Sequence, residues 1–166
     1  MSDKTISERL QPSLLDRLTD ADPLSRTEAR DARVIDLREL RQIIERDLSW
    51  LLNTSNNATL IDPDRFPSVQ DSVLNYGVRE VAGDYSTLER AELIRKSIHR
   101  AIDRFEPRIR KGSIDVELRA GGDENRETII TFDIRADMWA QPLPLELYLR
   151  SEVDITTGEL KLERVV

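Results

Sequence analysis

The spacing of apolar residues divides the chain into a helical half and a β half. Apolar residues recur every three or four positions from Val34 to Asn53 and again from Leu88 to Phe105. This spacing places them on one face of an amphipathic helix. After Pro107 the apolar residues alternate with polar ones, which is the period of a strand with one buried face. Helices followed by strands predict an α+β fold.

About three helices are predicted before the sheet. The segment from Val34 to Asn53 is the first, and turn-forming residues follow it. A short helix is predicted from Ser68 to about Asn75, with Gly77 as its stop. The last helix begins at a capping box formed by Ser86 and Glu89. It ends before Pro107, because proline disfavours helical geometry at the preceding residue.

About four antiparallel strands are predicted between residues 109 and 166. Turn signals separate them at Gly121–Asn125, at the two prolines Pro142 and Pro144, and at Thr156–Glu159. Their alternating apolar residues are Ile114, Val116 and Leu118; Ile130, Phe132, Ile134 and Ala136; Leu145, Leu147 and Leu149; Leu160 and Leu162.

The sequence suggests an arm, residues 1–33, before one α+β domain, residues 34–166, with helices in 34–105 and the sheet in 109–166. The arm has two prolines, many charges and one apolar cluster. Leu14, Leu15 and Leu18 would lie on one face of a short helix. Two interpretations stay open, a frayed tail and an arm that becomes ordered on a partner.

Composition and charge restrict the class of protein. The net charge is −7, which argues against nucleic acid as the main partner. The sequence has no cysteine, so disulfides and thiolate chemistry are excluded. No apolar run approaches the roughly 20 residues of a membrane helix, and the first residues, MSDKTISERLQPS, contain no apolar stretch that could be a signal-peptide core. We therefore expect a cytoplasmic protein that does not insert into membranes.

The chain offers little material for catalysis. His99 is its single histidine, so we expect neither a metal site nor a histidine-based nucleophile system. No glycine-rich loop opens a helix, and no cofactor is expected. Glu106 is the most interesting acid, since it lies at a helix end beside Phe105. A peptidoglycan hydrolase that uses Glu106 and a second acid is therefore the alternative to a non-enzymatic protein.

Basic residues cluster from the last helix into the following segment, but acids are interleaved with them. Glu92 and Lys96, for example, have the i, i+4 spacing of a helical ion pair. A solvated, ion-paired face is the default interpretation of this cluster.

Three segments, in this order, resemble the TssE family of type VI secretion systems. They are Gln11–Leu18 (QPSLLDRL), Asp71–Gly77 (DSVLNYG) and Phe105–Arg108 (FEPR). The Glu-Pro-Arg motif is shared with the wider family of small baseplate wedge proteins of contractile phage tails, which were formerly called lysozyme-like. The resemblance covers nearly the whole chain.

The resemblance implies a structural role. TssE-like proteins lie in the cytoplasmic baseplate wedge beside TssF and TssG, and TssK is a further candidate partner. Their sheet offers a strand edge to the TssB–TssC sheath. The implied partner-binding residues are Glu106, Pro107 and Arg108 of the motif, together with Leu14, Leu15 and Leu18 of the arm. No catalytic, cofactor-binding or metal-binding residue is implied.

Two surfaces have competing interpretations. In extended geometry Glu106 and Arg108 would lie on the same side of the chain, so they could either stabilise the helix–sheet junction or contact a neighbour. The resemblance favours a partner contact, and alanine at either position is then predicted to weaken assembly without loss of the fold. At the sheet edge, the outward charges Glu146, Arg150, Glu152, Lys161 and Glu163 would either protect the edge or select an added strand. An unrelated cytosolic adaptor with the same layout is a third possibility.

Overall fold

The structure is a computed structural model. It describes residues 10, 12–19, 23–24, 34–79, 87–119, 128–139 and 145–164. Contacts between residues group the chain into two compact units, residues 1–45 and residues 46–166. Helix α2 begins in the first unit and ends in the second.

In the first unit, α1 spans Leu14–Leu18. The Ser13 hydroxyl donates to the Asp16 carboxylate at 2.5 Å. At the other end, the Thr19 N–H donates to the Leu15 carbonyl at 3.1 Å. None of the five residues of α1 is buried, so the short apolar face predicted there forms and stays exposed.

Helix α2, Leu37–Leu52, confirms the first predicted helix but starts three residues later than expected. A capping box fixes this start. The Asp36 N–H donates to the Glu39 carboxylate at 2.9 Å, and the Glu39 N–H donates back to Asp36 at 2.7 Å. The buried residues of α2 have the predicted helical spacing: Leu40, Ile44, Leu48, Leu51 and Leu52.

Helix α3 spans Thr87–Phe105 and ends before Pro107, as predicted. Its buried face begins at Ala91 and continues through Ile98, Ala101 and Ile102. Leu88, which was expected on that face, is exposed, because it lies one turn before the residues that face the core. The predicted capping serine, Ser86, lies outside the described residues.

The regular helix predicted from Ser68 to about Asn75 does not form. Turns occupy most of the segment, and only Val73–Asn75 make a 3-10 turn. The Ser72 hydroxyl accepts the Leu74 N–H at 3.2 Å and so stabilises this tighter geometry. The side chains of Val73 and Leu74 are exposed. A helix there would have had no apolar face to bury, which is where most helix stability comes from.

The segments that follow α2 and the 3-10 turn lie against each other. The Val78 N–H donates to the Thr54 carbonyl at 2.8 Å, and the Asn56 N–H donates to the Val78 carbonyl at 2.9 Å. Gly77 has a φ of 116°, and a Cβ at this position would collide with the Thr54 carbonyl. The close approach therefore requires glycine.

Four strands form one antiparallel sheet in the order β1-β2-β3-β4, which confirms the predicted α+β class. The strands are β1 (Asp115–Leu118), β2 (Ile129–Met138), β3 (Leu145–Asp154) and β4 (Leu160–Arg164). The register pairs Val116 with Ile134 and Val153 with Leu160. The predicted apolar residues of β2 are all buried, whereas Leu118 of β1 is exposed.

The β3–β4 turn lies where Thr156–Glu159 predicted it. The Asp154 N–H donates to the Glu159 carbonyl at 3.0 Å, and Gly158 supplies the required positive φ of 76°. The other two predicted turns, Gly121–Asn125 and the one at Pro142 and Pro144, lie outside the described residues.

The segment between α3 and β1 already pairs with β2 before β1 begins. The Trp139 N–H donates to the Arg108 carbonyl at 2.8 Å, and the Arg110 N–H donates to the Asp137 carbonyl at 2.8 Å. Ile109 forms an isolated antiparallel bridge with Met138. The residues immediately after Pro107 are therefore fixed against the carboxyl end of β2.

Candidate functional site

Glu106 and Arg108 form a short-range ion pair at the end of α3, in the orientation expected from their spacing. The Arg108 guanidinium donates to both carboxylate oxygens of Glu106, through Nε at 2.7 Å and Nη2 at 2.5 Å. The Arg108 backbone N–H also donates to Glu106, at 3.1 Å. Only 5% of the Glu106 side chain is exposed, against 27% of the Arg108 side chain. We call Glu106, Pro107 and Arg108 the corner.

Asp47 of α2 binds the corner from outside and was not found from the sequence. Arg108 Nη2 donates to Asp47 Oδ2 at 2.7 Å, and Arg46 Nη2 donates to Asp47 Oδ1 at 2.7 Å. The Arg46 guanidinium also lies 4.8 Å from the centre of the half-exposed Trp50 ring. Asp47 thus binds two arginines, one from its own helix and one from the corner.

The charges of the corner stabilise one another. Burial alone lowers the pKa of Arg108, but hydrogen bonds and charge from Glu106 and Asp47 outweigh it and raise that pKa above its ordinary value. Burial also raises the pKa of the neighbouring Tyr76, and the negative charges of Asp47 and Glu106 add to this effect. The Tyr76 ring packs edge-on against Phe105, with 5.3 Å between ring centres. Arg108 therefore stays charged and Tyr76 stays neutral across the physiological range.

The exposure of the three motif residues differs. Glu106 is buried, whereas Pro107 is exposed and the Arg108 guanidinium is partly exposed. Glu106 therefore holds Arg108 in place, which is the structural interpretation of this residue. Pro107 and the outer part of Arg108 are the atoms that a neighbour could reach, so the predicted partner contact involves these two residues directly and Glu106 indirectly.

The three leucines predicted to contact a partner through the arm all lie on α1. Their exposed fractions are 73% for Leu14, 47% for Leu15 and 74% for Leu18. Exposed leucines grouped on one short helix are a candidate binding surface. The partner contact itself stays a prediction.

The sheet has two edge strands, β1 and β4. Of the five charges expected to line the edge, Lys161 and Glu163 lie on β4, and the other three lie on the interior strand β3. The Asn53 side chain reaches this edge. Its Nδ2 donates to the Leu160 carbonyl at 2.8 Å, and its Oδ1 accepts the Leu160 N–H at 2.9 Å. No local pattern indicates this contact, because the two residues are 107 positions apart in the chain.

The remaining candidates have ordinary structural partners. In the predicted basic cluster, Arg95 and Lys96 both pair with Glu92, at 2.8 and 3.4 Å, and the Arg104 guanidinium donates to the Asp71 carbonyl.

Among the described residues, no three metal-binding side chains come together. In the same part of the chain, no helix is both long and apolar enough to cross a membrane.

A protein-family model described as baseplate wedge protein gp25 matches residues 38–143. The chain belongs to this family. The matched region includes the corner, Asp47 and the segment from Asp71 to Gly77, and it extends through β2. No curated protein and no solved structure gives a significant match. The resemblance to the contractile-tail wedge proteins is thereby confirmed at the level of the family.

Proposed function

We propose that the chain is the TssE-type structural subunit of a type VI secretion baseplate, and that it acts in the cytoplasm without catalysis. The observation that supports this most directly is the family match, since it includes the Glu-Pro-Arg corner. A baseplate subunit must offer fixed surfaces to several neighbours. The chain provides three candidates, which are the corner, the α1 leucines and the β4 edge.

The corner and α1 are the surfaces proposed to bind the wedge proteins TssF and TssG, with TssK as a further candidate. Arg108 is held by two carboxylates and Pro107 has a fixed φ, so this surface loses little conformational entropy on binding. Exposed leucines of α1 supply apolar area. The charged, preorganised corner and the small apolar helix are each suited to contact with a protein.

The β4 edge is the surface proposed to template the TssB–TssC sheath. Edge strands present unpaired N–H and C=O groups, and an extended segment of another chain can add to them. Lys161 and Glu163 lie on β4 on either side of Leu162. Their charges would discourage pairing with a strand that does not carry complementary charges.

The hydrolase alternative is disfavoured by the state of Glu106. A general acid must be able to give a proton to a glycosidic oxygen, but both Glu106 oxygens accept hydrogen bonds from Arg108. The side chain is also buried. Clear lysis of purified cell wall that disappears in Glu106→Gln would establish the alternative.

The wedge-binding proposal can be tested by pull-down with purified TssF–TssG. We expect Leu14→Ser/Leu18→Ser to reduce capture of the wedge proteins without a change in melting temperature, because α1 has no buried residue. Leu24→Ser is the matched control, since Leu24 is also highly exposed but lies outside α1. Deletion of residues 1–20 should have the same effect as the double substitution. Full capture by both altered chains would remove the arm from the proposal.

A further inference from the structure

The carboxamide of Asn53 bonds the first residue of β4 as a neighbouring strand would. It donates to the Leu160 carbonyl and accepts the Leu160 N–H, at 2.8 and 2.9 Å. Those are the two bonds that one residue of an antiparallel strand would exchange with Leu160. Asn53 follows directly after α2, and a second bond from its Nδ2 to the Ser49 carbonyl, at 2.9 Å, fixes the side chain.

The directions of the β4 backbone groups follow from the same bonds. The Asp154 N–H donates to the Glu159 carbonyl, so the groups of residue 159 face β3. Backbone groups alternate along a strand, and those of Leu160, Leu162 and Arg164 therefore face away from β3. Asn53 satisfies Leu160. Within the described part of the chain, the outward N–H and C=O groups of Leu162 and Arg164 have no partner.

We propose that Asn53 closes the first position of the β4 edge, so that a sheath strand adding to β4 bonds from Leu162 onward and never reaches Leu160. The inference rests on the proposed function, in which a TssB–TssC strand extends this sheet. Neighbouring strands lie about 4.8 Å apart. A side chain as short as that of Asn53 places its own backbone in the space that such a strand would need beside Leu160, so the stop is steric as well as polar.

The exposed charges of β4 indicate which side chains the added strand should carry. Lys161 and Glu163 are exposed and lie on the polar face of the sheet, opposite Glu152 and Arg150 of β3. Cross-strand pairs of opposite charge stabilise a sheet, and like charges destabilise it. The added strand should therefore carry an acid opposite Lys161 and a base opposite Glu163, two residues apart on one face.

Two substitutions of the same kind, on the two sides of the stop, test this inference. Glu163→Lys and Glu159→Lys each replace an exposed acid by lysine. We expect Glu163→Lys to weaken binding to purified TssB–TssC at least about threefold, because it replaces an attractive pair by a repulsive one. Glu159→Lys should leave the affinity unchanged, since no added strand reaches it. Equal weakening by both variants, or by neither, would overturn the inference.

Residue-resolved amide exchange gives a second readout on the unaltered chain. In the free chain, the Leu160 amide should exchange slowly and the Leu162 and Arg164 amides rapidly. TssB–TssC should then slow Leu162 and Arg164 and leave Leu160 unchanged. Binding without protection at Leu162 and Arg164 would overturn the inference while sheath binding stands. If TssB–TssC does not bind at all, the sheath-templating part of the proposed function fails, and this inference fails with it.

Discussion

Arg108 donates a 2.7 Å hydrogen bond to Asp47, a residue 61 positions earlier in the chain. The bond joins the second half of α2 to the corner that follows α3. Both side chains are less than one-third exposed, so water screens the pair less than it would a surface ion pair. The corner is thus part of the folded body as well as a candidate surface.

Glu106→Ala is the first prediction, and the burial of Glu106 changes what we expect from it. The sequence predicted an intact fold and weakened assembly. With Glu106 buried and bonded to Arg108, we expect a loss of about 2–3 kcal/mol, since hydrogen bonds to charged groups contribute on this scale. For a chain of this size the melting temperature should fall by about 5–10 °C. Calorimetry measures both quantities.

Arg108→Lys separates stability from binding at the same corner. Lysine keeps the positive charge but cannot donate in two directions from a planar group. We expect a smaller loss of stability than in Glu106→Ala and a clear loss of TssF–TssG capture. If Arg108→Lys melts like the unaltered chain and still captures the wedge proteins, Arg108 is needed neither for stability nor for binding.

Ser151 should be a site where alanine stabilises the fold. The residue is completely buried on the core face of β3, and its hydroxyl has no hydrogen-bond partner among the described residues. Burying an unsatisfied polar group costs about 1–3 kcal/mol, so Ser151→Ala should raise the free energy of unfolding by about 1 kcal/mol. The measurement is urea denaturation.

Ser113→Ala is the matched control for Ser151→Ala. Its hydroxyl donates to the Arg110 carbonyl at 2.7 Å and accepts the Asp137 N–H at 3.0 Å. The same substitution should therefore destabilise the fold here, by about 1 kcal/mol. If both substitutions change the free energy of unfolding in the same direction, the Ser151 hydroxyl is not unsatisfied in the way proposed.

Gly77→Ala should destabilise the chain far more than Gly158→Ala. Both glycines have positive φ, at 116° and 76°, and such a conformation costs other residues about 1–2 kcal/mol. A Cβ on Gly77 would in addition collide with the Thr54 carbonyl, whereas a Cβ on Gly158 would meet nothing within 4 Å. We expect the denaturation midpoint to shift strongly for Gly77→Ala and modestly for Gly158→Ala. Similar shifts would argue against the close contact.

Glu92 should titrate at unusually low pH. The hydrogen bond from Arg95 is the main cause, and with Lys96 it lowers the pKa of Glu92 to about 2. A folded pKa below the unfolded value means that the ion pair stabilises the fold above about pH 4.5, and that this contribution is lost as the pH falls towards 2. NMR titration of the Glu92 carboxyl measures the pKa directly.

Two substitutions locate the cause of the Glu92 shift. Arg95→Gln should move its pKa back towards the ordinary value. Lys96→Gln should move it less, because the Lys96 contact is 3.4 Å against 2.8 Å for Arg95. The two ion pairs are solvent-exposed, so neither substitution should change stability much at neutral pH.

The elements that the sequence predicted well are those whose signal is local. The stripe in α2, the stop before Pro107 and the alternation in β2 each depend on residues close in the chain. The helix predicted for residues 68–75 was wrong. The few apolar residues of this segment have the spacing of one helical turn, but Val73 and Leu74 do not face the core. The predicted burial of Leu88 was wrong, because the periodicity of a helix does not show which of its turns contact the core.

The sequence predicted only the part of the candidate site that depends on residues close together in the chain. Glu106 and Arg108 are two residues apart, so their pairing could be foreseen. Asp47 and Asn53 reach partners 61 and 107 positions away, and neither has a distinctive neighbourhood in the sequence. Contacts at such separations depend on how the helices and the sheet are arranged, which residue spacing does not encode.

The consecutive order of the strands has a consequence for how the chain folds. Each strand pairs with its neighbour in sequence, so the sheet can form hairpin by hairpin with short loops to close. The Asn53–Leu160 contact instead closes a loop of 107 residues, and loops of that length cost more entropy and form more slowly. The strand edge is therefore expected to exist before its amide stop is in place, and the newly made chain is most open to unwanted pairing during that interval.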